Sequence, residues 1–492
     1  MGNAASGQSI QTTPHQLAIS KSFILIASGG LLQTAGETLA LSAPGALPAG
    51  TALIIFSSVT PGIVLLWLAT RRSVTWYNRA AKRAKQHLLD AHRTQITHLA
   101  KGALLMLLLL AALWTLATSS ALLIEHPLDP AIYDSDAAAF IHYQAEDVLR
   151  GINPYTDFAG FWKAVQQFPN AGATPLRRGQ FAQQVLSPDD TTISALLHAY
   201  AQNPSHAGPE FDPASLHSYP AGAFLLAVPF IWAGLPSTQL LYALCLVFLF
   251  LLLVYWAPAG YRWQTLLLLA SLSIPITLTL RSSFEVVCIL SVIGAWRCQE
   301  KHPWLSAGLL GLGCSVKQLA WLFLPFHLVW VARRSGWRCV ALSGSICALV
   351  FLAINAPFLL TSPAAWASSL LLPVSEPAFP GGIGLITLAQ GGWLPLFPGW
   401  VYTSLEIAAY LGLLGWYSVQ QSARSAASKG ASEMGARALV LASLPLLLAQ
   451  RSLISYTMFL PVLALAALFQ QINSPTNTSN SPFPAIIFQA EG

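Results

Sequence analysis

The sequence predicts an all-α polytopic membrane protein with about 12 transmembrane helices and one long, partly helical loop. Three observations carry that prediction. Hydrophobic residues make up 54% of the 492-residue chain, charged residues only 9%, and the mean hydropathy is +0.57. A soluble domain carries roughly 25% charged residues. Apolar runs approaching the ~20 residues needed to cross a bilayer recur along the chain. Of the 19 acidic residues, 11 fall between Glu125 and Pro220, against four basic ones, so the carboxylates concentrate in one interruption of the apolar pattern.

Residues 1–22 are polar and lack Lys and Arg up to Ser20, which reads as a cytoplasmic tail. Residues 23–70 form an N-terminal transmembrane hairpin, from the runs Phe23–Leu41 and Thr51–Thr70. Residues 71–101 carry eight basic residues and one acid, Asp90, so they belong on the cytoplasmic side. Trp76, Leu88, Leu89, Ile96 and Leu99 among those charges suit either a helix on an anionic membrane surface or a plain basic linker. Gly102–Ile124 then crosses outward and makes the loop 125–220 extracytoplasmic.

Further apolar runs follow at Ala221–Gly234, Gln239–Trp256, Trp263–Leu280, Phe284–Trp296, Trp304–Val316, Leu319–Val331, Cys339–Leu359, Val401–Tyr417, Ala438–Leu448 and Leu453–Phe469. If the short run Ala221–Gly234 inserts only partly, the basic turns Arg297–Lys301 and Arg333–Arg338 fall inside, with Arg424, Lys429 and Arg437. Both termini are then cytoplasmic in a plasma-membrane protein, and residues 102–469 form the transmembrane domain ahead of the tail 470–492. The same parity gathers Arg281–Glu285, Lys317–Gln318, Thr361–Trp400 and Gln450–Ser452 at the face bearing the acidic loop.

Several classes of function lose support. The net charge of +6 flanks apolar runs, so it marks membrane orientation, not nucleic-acid binding. The six cysteines lie in or beside apolar runs without metal-ligand or disulfide spacing. Walker A, HExxH and GxSxG motifs are absent. Asn477-Thr478-Ser479 matches a glycosylation acceptor, but in a tail expected inside.

The acidic loop offers the chemistry. Ser135 fits a helix N-cap, and Gly151 with Pro154 ends a helix over Ala137–Arg150. Asp136 then sits in the first turn, where the helix dipole favours a carboxylate. It is a candidate general base, with Asp134 beside it; the alternative is an acid that only stabilises the helix. Asp136, Phe140, Tyr143 and Asp147 share one helical face, and aromatic rings commonly line sugar sites. Ala139, His142 and Glu146 form a second face, and Asn153-Pro154-Tyr155 closes the segment.

Other candidates lie far along the chain. Arg281 and Glu285 stand four residues apart, as in a helical ion pair or a contact to a polar ligand. Lys317-Gln318 interrupts the stretch Leu305–Val331, and a lysine near membrane depth is a functional candidate unless it snorkels to the interface. Arg451 is a lone cation followed by Ser452, Ser455 and Tyr456. In His217-Ser218-Tyr219-Pro220, Tyr219 serves as an interfacial anchor or a substrate contact.

In this order, these residues resemble the GT-C type of integral-membrane glycosyltransferase, and within it the bacterial polyprenyl-phosphomannose-dependent mannosyltransferases, glycosyltransferase family eighty-seven. The resemblance covers roughly Gly102 to Phe469. It rests on Asp136 followed by Gly151-Ile152-Asn153-Pro154-Tyr155, on Tyr219-Pro220, on the small residues Gly311 to Ser315 before Lys317, and on Arg451 to Tyr456. Where such proteins often show Gly-Gln-x-Asn, this chain has Arg281-Ser282-Ser283-Phe284-Glu285.

The resemblance implies a GT-C-like fold and transfer of a hexose, mannose by preference, from a polyprenyl-phosphate donor to an extracytoplasmic glycolipid or glycan. Asp136, or Asp134, would take the acceptor proton in one inverting displacement. Lys317, Arg451 or Arg281 would bind the donor phosphate. His142, Tyr143, Asn153, Tyr155, Tyr219, Glu285 and Gln318 would contact substrate. The scheme needs no cofactor and no metal, although two neighbouring aspartates could hold a cation. The competing expectations are a multispanning transporter or lipid flippase, with Glu37, Glu285 and Lys317 as coupling groups, and a non-catalytic membrane scaffold.

Overall fold

The structure is a computed structural model that describes residues 22–33, 35, 90–174, 188–204, 211, 219–371, 380–382, 384–390, 392, 394–422 and 430–473. Expectations placed on the tail 1–21, the run Thr51–Thr70, the basic stretch 71–89, Glu37, His217 and the tail 474–492 lie outside the described residues.

The described chain is mostly helical. Helix α1 (Ser22–Gln33) lies close to the later chain, with the Phe23 ring 6.0 Å from Tyr261 and Gly30 against Leu272. Helix α2 (Asp90–Glu125) exposes Met106, Leu107, Leu110, Leu113, Trp114 and Leu116. A long helix with an apolar outer surface is suited to lipid, where every backbone group must be bonded within the helix.

The acidic segment folds into a small cap. After a 3-10 turn (Pro130–Ile132) come α3 (Asp136–Leu149), α4 (Gly160–Gln167) and α5 (Asp190–Gln202). Ser135 caps α3 through its Oγ, which accepts from the Ala138 amide at 3.3 Å. Helix α3 stops at Gly151, whose φ of 76° suits a residue without a Cβ. Phe140, Tyr143, Phe161, Trp162, Val165, Ile193 and Leu196 form the cap's core. The expectation that Phe140 and Tyr143 line a sugar site is therefore corrected: α4 covers that face of α3. Burying each such ring stabilises the cap by roughly 1.5–3 kcal/mol.

The remaining chain is a helical bundle. It comprises α6 (Gly222–Leu225), α7 (Val228–Trp232), α8 (Gln239–Trp256), α9 (Arg262–Ala270), α10 (Ser273–Leu280), α11 (Glu285–Cys298), α12 (Pro303–Val316), α13 (Phe323–Ser335), α14 (Trp337–Thr361), α15 (Pro363–Leu370), α16 (Leu385–Gln390), α17 (Gly399–Ser422), α18 (Gly430–Leu441), α19 (Ile454–Thr457) and α20 (Leu460–Ile472). A two-residue parallel pair joins β1 (Gly381–Gly382) to β2 (Arg451–Ser452). Among the described residues, four helical stretches are long and apolar enough to cross a membrane: Gly102–Glu125, Gln239–Trp256, Trp337–Thr361 and Ile454–Ile472. A fifth is counted if Ala259–Ala270 and Ser273–Leu280, bent by 58°, form one span. The expected single run Trp263–Leu280 is thus broken. Helices α11 and α12, of 14 residues each, are about 21 Å long against a hydrocarbon core of about 30 Å.

Side-chain contacts sort the helix ends into two sets. At the cap end, the Leu128 amide donates to Gln239 Oε1 at 3.0 Å, and Asn153 Nδ2 donates to Thr361 Oγ1 at 3.1 Å. At the other end, Asn473 Nδ2 donates to the Trp256 carbonyl at 2.7 Å, and Trp296 Nε1 to the Gly435 carbonyl at 2.8 Å. The segment holding α6 and α7 starts at Tyr219 and returns to Thr238, both at the cap end. It therefore dips and comes back. Small residues let the bundle close: a Cβ on Gly311 would meet the Cys347 carbonyl at 2.7 Å, and one on Gly313 would lie 3.2 Å from Ser291 Cβ.

Candidate functional site

The cap and the bundle meet at a polar rim, and most of the expected residues reach it. Asp136, half-buried in the first turn of α3, accepts the Thr174 amide proton through Oδ2 at 2.6 Å. Its charge acts on Tyr219, which enters the rim from the other side of the cap. Asp134 precedes the α3 cap and pairs with Arg281 Nη1 at 2.9 Å.

The expected Arg281–Glu285 helical pair is not formed. Helix α10 ends at Leu280 and α11 begins at Glu285, with Ser282 between them at φ 69°. The four-residue spacing aligns side chains only along an unbroken helix. Here the break sends Arg281 out to Asp134 and turns Glu285 inward to Lys317.

Lys317 sits where α12 stops. Its backbone is extended (φ −153°, ψ 142°), and its amide still bonds the Gly313 carbonyl. Its ammonium is buried, pairs with Glu285, and lies 4.4 Å from the Phe284 ring centre, 4.6 Å from Tyr456 and 5.6 Å from Tyr219. Ser283 Oγ bonds the second carboxylate oxygen of Glu285. Gly222 brings the Tyr219-Pro220 entry against α12, since a Cβ there would meet the Ser315 carbonyl at 2.5 Å. Arg451 lies in β2, half-exposed, with no carboxylate partner among the described residues.

Other expected contacts are architectural. Asn153 caps the turn at Tyr155 and ties it to Thr361 and Ser362. Tyr155 is buried against Phe224 and Phe358 and donates to the Tyr219 carbonyl at 2.8 Å. Both therefore clamp the cap onto the bundle and hold Tyr219 in place. Gln318 Nε2 reaches the Leu370 carbonyl at 3.3 Å.

His142 is buried in the cap, one side chain behind the Tyr133 hydroxyl that meets Thr238 at the cap's contact with the bundle. The Thr238 amide donates to the Tyr133 hydroxyl at 2.9 Å, and that hydroxyl lies 2.8 Å from His142 Nδ1. His142 Nε2 lies 3.2 Å from Glu146. Burial holds the imidazole neutral by lowering its pKa against the pull of Glu146, and burial pushes the Tyr133 phenol up to about 12. The consistent tautomer accepts from Tyr133 at Nδ1 and donates from Nε2 to Glu146.

Behind α3, Asp147 faces Asp157, which Lys163 Nζ holds at 3.0 Å, with Arg150, Glu146 and Tyr143 around it. Burial, then the Asp157 charge, pushes the Asp147 carboxyl up to about 7; Arg150 and Lys163 oppose the shift. The folded cap therefore holds a proton that the unfolded chain releases near 3.8. This group's contribution is greatest below the unfolded value, declines as pH rises to about 7, and is flat beyond it. We expect Asp147→Asn to remove that slope from the difference in cap protection between pH 5 and pH 8. Hydrogen exchange across α3 measures it; identical slopes in both proteins would rule out Asp147 as the source.

Among the described residues no group of three His, Cys, Asp or Glu could hold a metal ion. Comparisons of the chain with protein-family models, curated proteins and solved structures give no match. Sequence reasoning named the segment holding Ser283 and Phe284 and the stretch holding Gly381 and Gly382, but gave these four residues no role. In the structure the glycines are required, because a Cβ on Gly382 would collide with the Ser452 carbonyl.

Proposed function

We propose that this protein is an integral-membrane glycosyltransferase. It moves a hexose, by resemblance mannose, from a polyprenyl-phosphate donor to an extracytoplasmic glycolipid or glycan. The observation that carries the reading is the half-buried carboxylate of Asp136 acting on Tyr219, at an aromatic-lined rim where the cap covers the helix ends; Arg451, five residues before the rim ring of Tyr456, has no carboxylate partner among the described residues. A carboxylate can take the acceptor hydroxyl's proton, and a guanidinium can receive the charge left on the lipid phosphate. Asp136 is the base. Its single described hydrogen bond leaves Oδ1 for an acceptor hydroxyl. Asp134 is tied to Arg281, so both are neutralised and shape the rim.

The two sets of helix ends support a topology. From Gly102 onward we assign one pass each to α2, α8, the bent α9–α10 unit, α11, α12, α13, α14, α17, α18 with its 3-10 extension, and α19–α20, ten in all, of which four are long and apolar enough by themselves and the bent unit makes a fifth. With the expected hairpin 23–70 the total is about 12. The Arg334–Glu300 pair lies at the end opposite the cap, as the positive-inside rule asks if the cap is extracytoplasmic. The short α11 and α12 fit because α8, α13 and α14 enclose them.

The transporter reading relied on Lys317 and Glu285 as coupling groups. These two neutralise each other, so it loses its support from them. The deciding experiment is sugar transfer by the purified protein in lipid nanodiscs from a polyprenyl-phosphate hexose to extracted envelope glycolipids. Product formation that depends on the donor supports the reading. No transfer from any polyprenyl-phosphate hexose, with the protein folded, would end it.

A further inference from the structure

We propose that Lys317 and Glu285 are a positioning strut that holds the rings of Tyr219 and Tyr456 at the rim, and that Lys317 does not receive the donor phosphate. This rests on the glycosyltransferase reading above. Two features of the geometry carry it.

The first is enclosure. The Lys317 ammonium has a carboxylate on one side and three aromatic rings, Phe284, Tyr456 and Tyr219, around the rest. Lysine and glutamate are both buried. A phosphate entering this box would put two anions on one buried cation and would have to displace a ring. A buried charge is tolerated when it is paired and hydrogen-bonded, which Glu285 and Ser283 already provide.

The second is what the box joins. Tyr219 belongs to the chain's re-entry from the cap, Phe284 and Glu285 to the start of α11, Lys317 to the end of α12, and Tyr456 to α19. One cation thus ties four segments that no backbone ladder connects. A cation over a ring face fixes that ring's plane. Neither the Tyr219 nor the Tyr456 hydroxyl has a hydrogen-bond partner among the described residues. Tyr219 also feels the charges of Lys317, Asp136 and Glu285. The strut therefore holds at the rim two phenols unpartnered among the described residues, Tyr219 within the field of the Asp136 carboxylate, where sugar hydroxyls need donors and acceptors. Tyr219 and Tyr456 are the substrate contacts, and Lys317 acts through them.

Four variants in nanodiscs test this: Lys317→Ala, Lys317→Met with Glu285→Leu together, Tyr219→Phe and Tyr456→Phe. Each is read by donor KM, kcat and native mass spectrometry of bound polyprenyl monophosphate. A buried ion pair replaced by apolar side chains of similar volume often leaves the fold intact, whereas removing one partner does not. The double variant is expected to keep donor KM and phosphate binding within about threefold of the parent and to recover most of the kcat that Lys317→Ala loses. Tyr219→Phe and Tyr456→Phe are each expected to lower kcat/KM by roughly tenfold or more with the fold unchanged. A double variant as poor in phosphate binding as Lys317→Ala would overturn the proposal in favour of a phosphate role for Lys317. Unchanged kinetics in both tyrosine variants would overturn it as well. If the parent transfers no sugar, the glycosyltransferase reading fails by itself. Phosphate binding then decides the strut alone: retained in the double variant it stands, lost there it falls.

Discussion

Asp136→Asn is expected to abolish sugar transfer, by roughly 100-fold or more, while protein level and thermal unfolding stay unchanged. The substitution isolates one property. Asparagine keeps an oxygen for the Thr174 amide, so that contact survives. Ser135 still caps α3 through the Ala138 amide, so the helix start survives. What is lost is a carboxylate able to accept a proton at the rim. Asp134→Asn serves as the comparison. It weakens a half-exposed pair with Arg281, and such pairs are worth about 0–1 kcal/mol, so its effect should stay below about tenfold. Transfer assays on membranes with matched protein level measure both. Full activity in Asp136→Asn would remove the base assignment, and an ordering with Asp134→Asn the more severe would move the role to Asp134.

Arg451→Ala is expected to weaken donor use. A charge-assisted hydrogen bond is worth about 1.5–3 kcal/mol, which corresponds to roughly a 10- to 100-fold rise in apparent donor KM. Arg281 and Lys317 carry carboxylate partners, whereas Arg451 has none among the described residues. Its backbone is set by the pairing of Arg451 with Gly381, and Gly382 has the φ of 120° that lets the strand lie against Ser452. Arg451→Lys should recover part of the loss by keeping the charge without the planar fork. Donor KM measured at saturating acceptor tests this. An unchanged value in Arg451→Ala would show that the phosphate is bound elsewhere on the rim.

The cap's local features were legible because they are written in neighbouring residues. Ser135 before Asp136, and Gly151 with Pro154 after α3, mark a helix start and stop whatever the rest of the chain does. The partners of the charged residues were not legible. Arg281 and Glu285 have the spacing of a helical pair, yet a turn at Ser282 intervenes, and nothing local announces it. Phe140 and Tyr143 have the spacing of a shared face, but α4 covers it. Asn153 and Tyr155 were expected as ligand contacts, and the partners that clamp the cap through them, Thr361, Ser362 and the Tyr219 carbonyl, were not legible.

The sequence by itself determined the apolar helical character of the chain, the single acidic excursion, and the place of Asp136 at a capped helix start. Those follow from composition and from periodicity within a few residues. Only the tertiary structure decided which cations are neutralised. The neighbours of Lys317 come from residues near 219, 284, 317 and 456, and no short-range pattern links positions so far apart. Charge at a buried site is a property of what surrounds it, and that is set by how helices separated in sequence come to rest against one another.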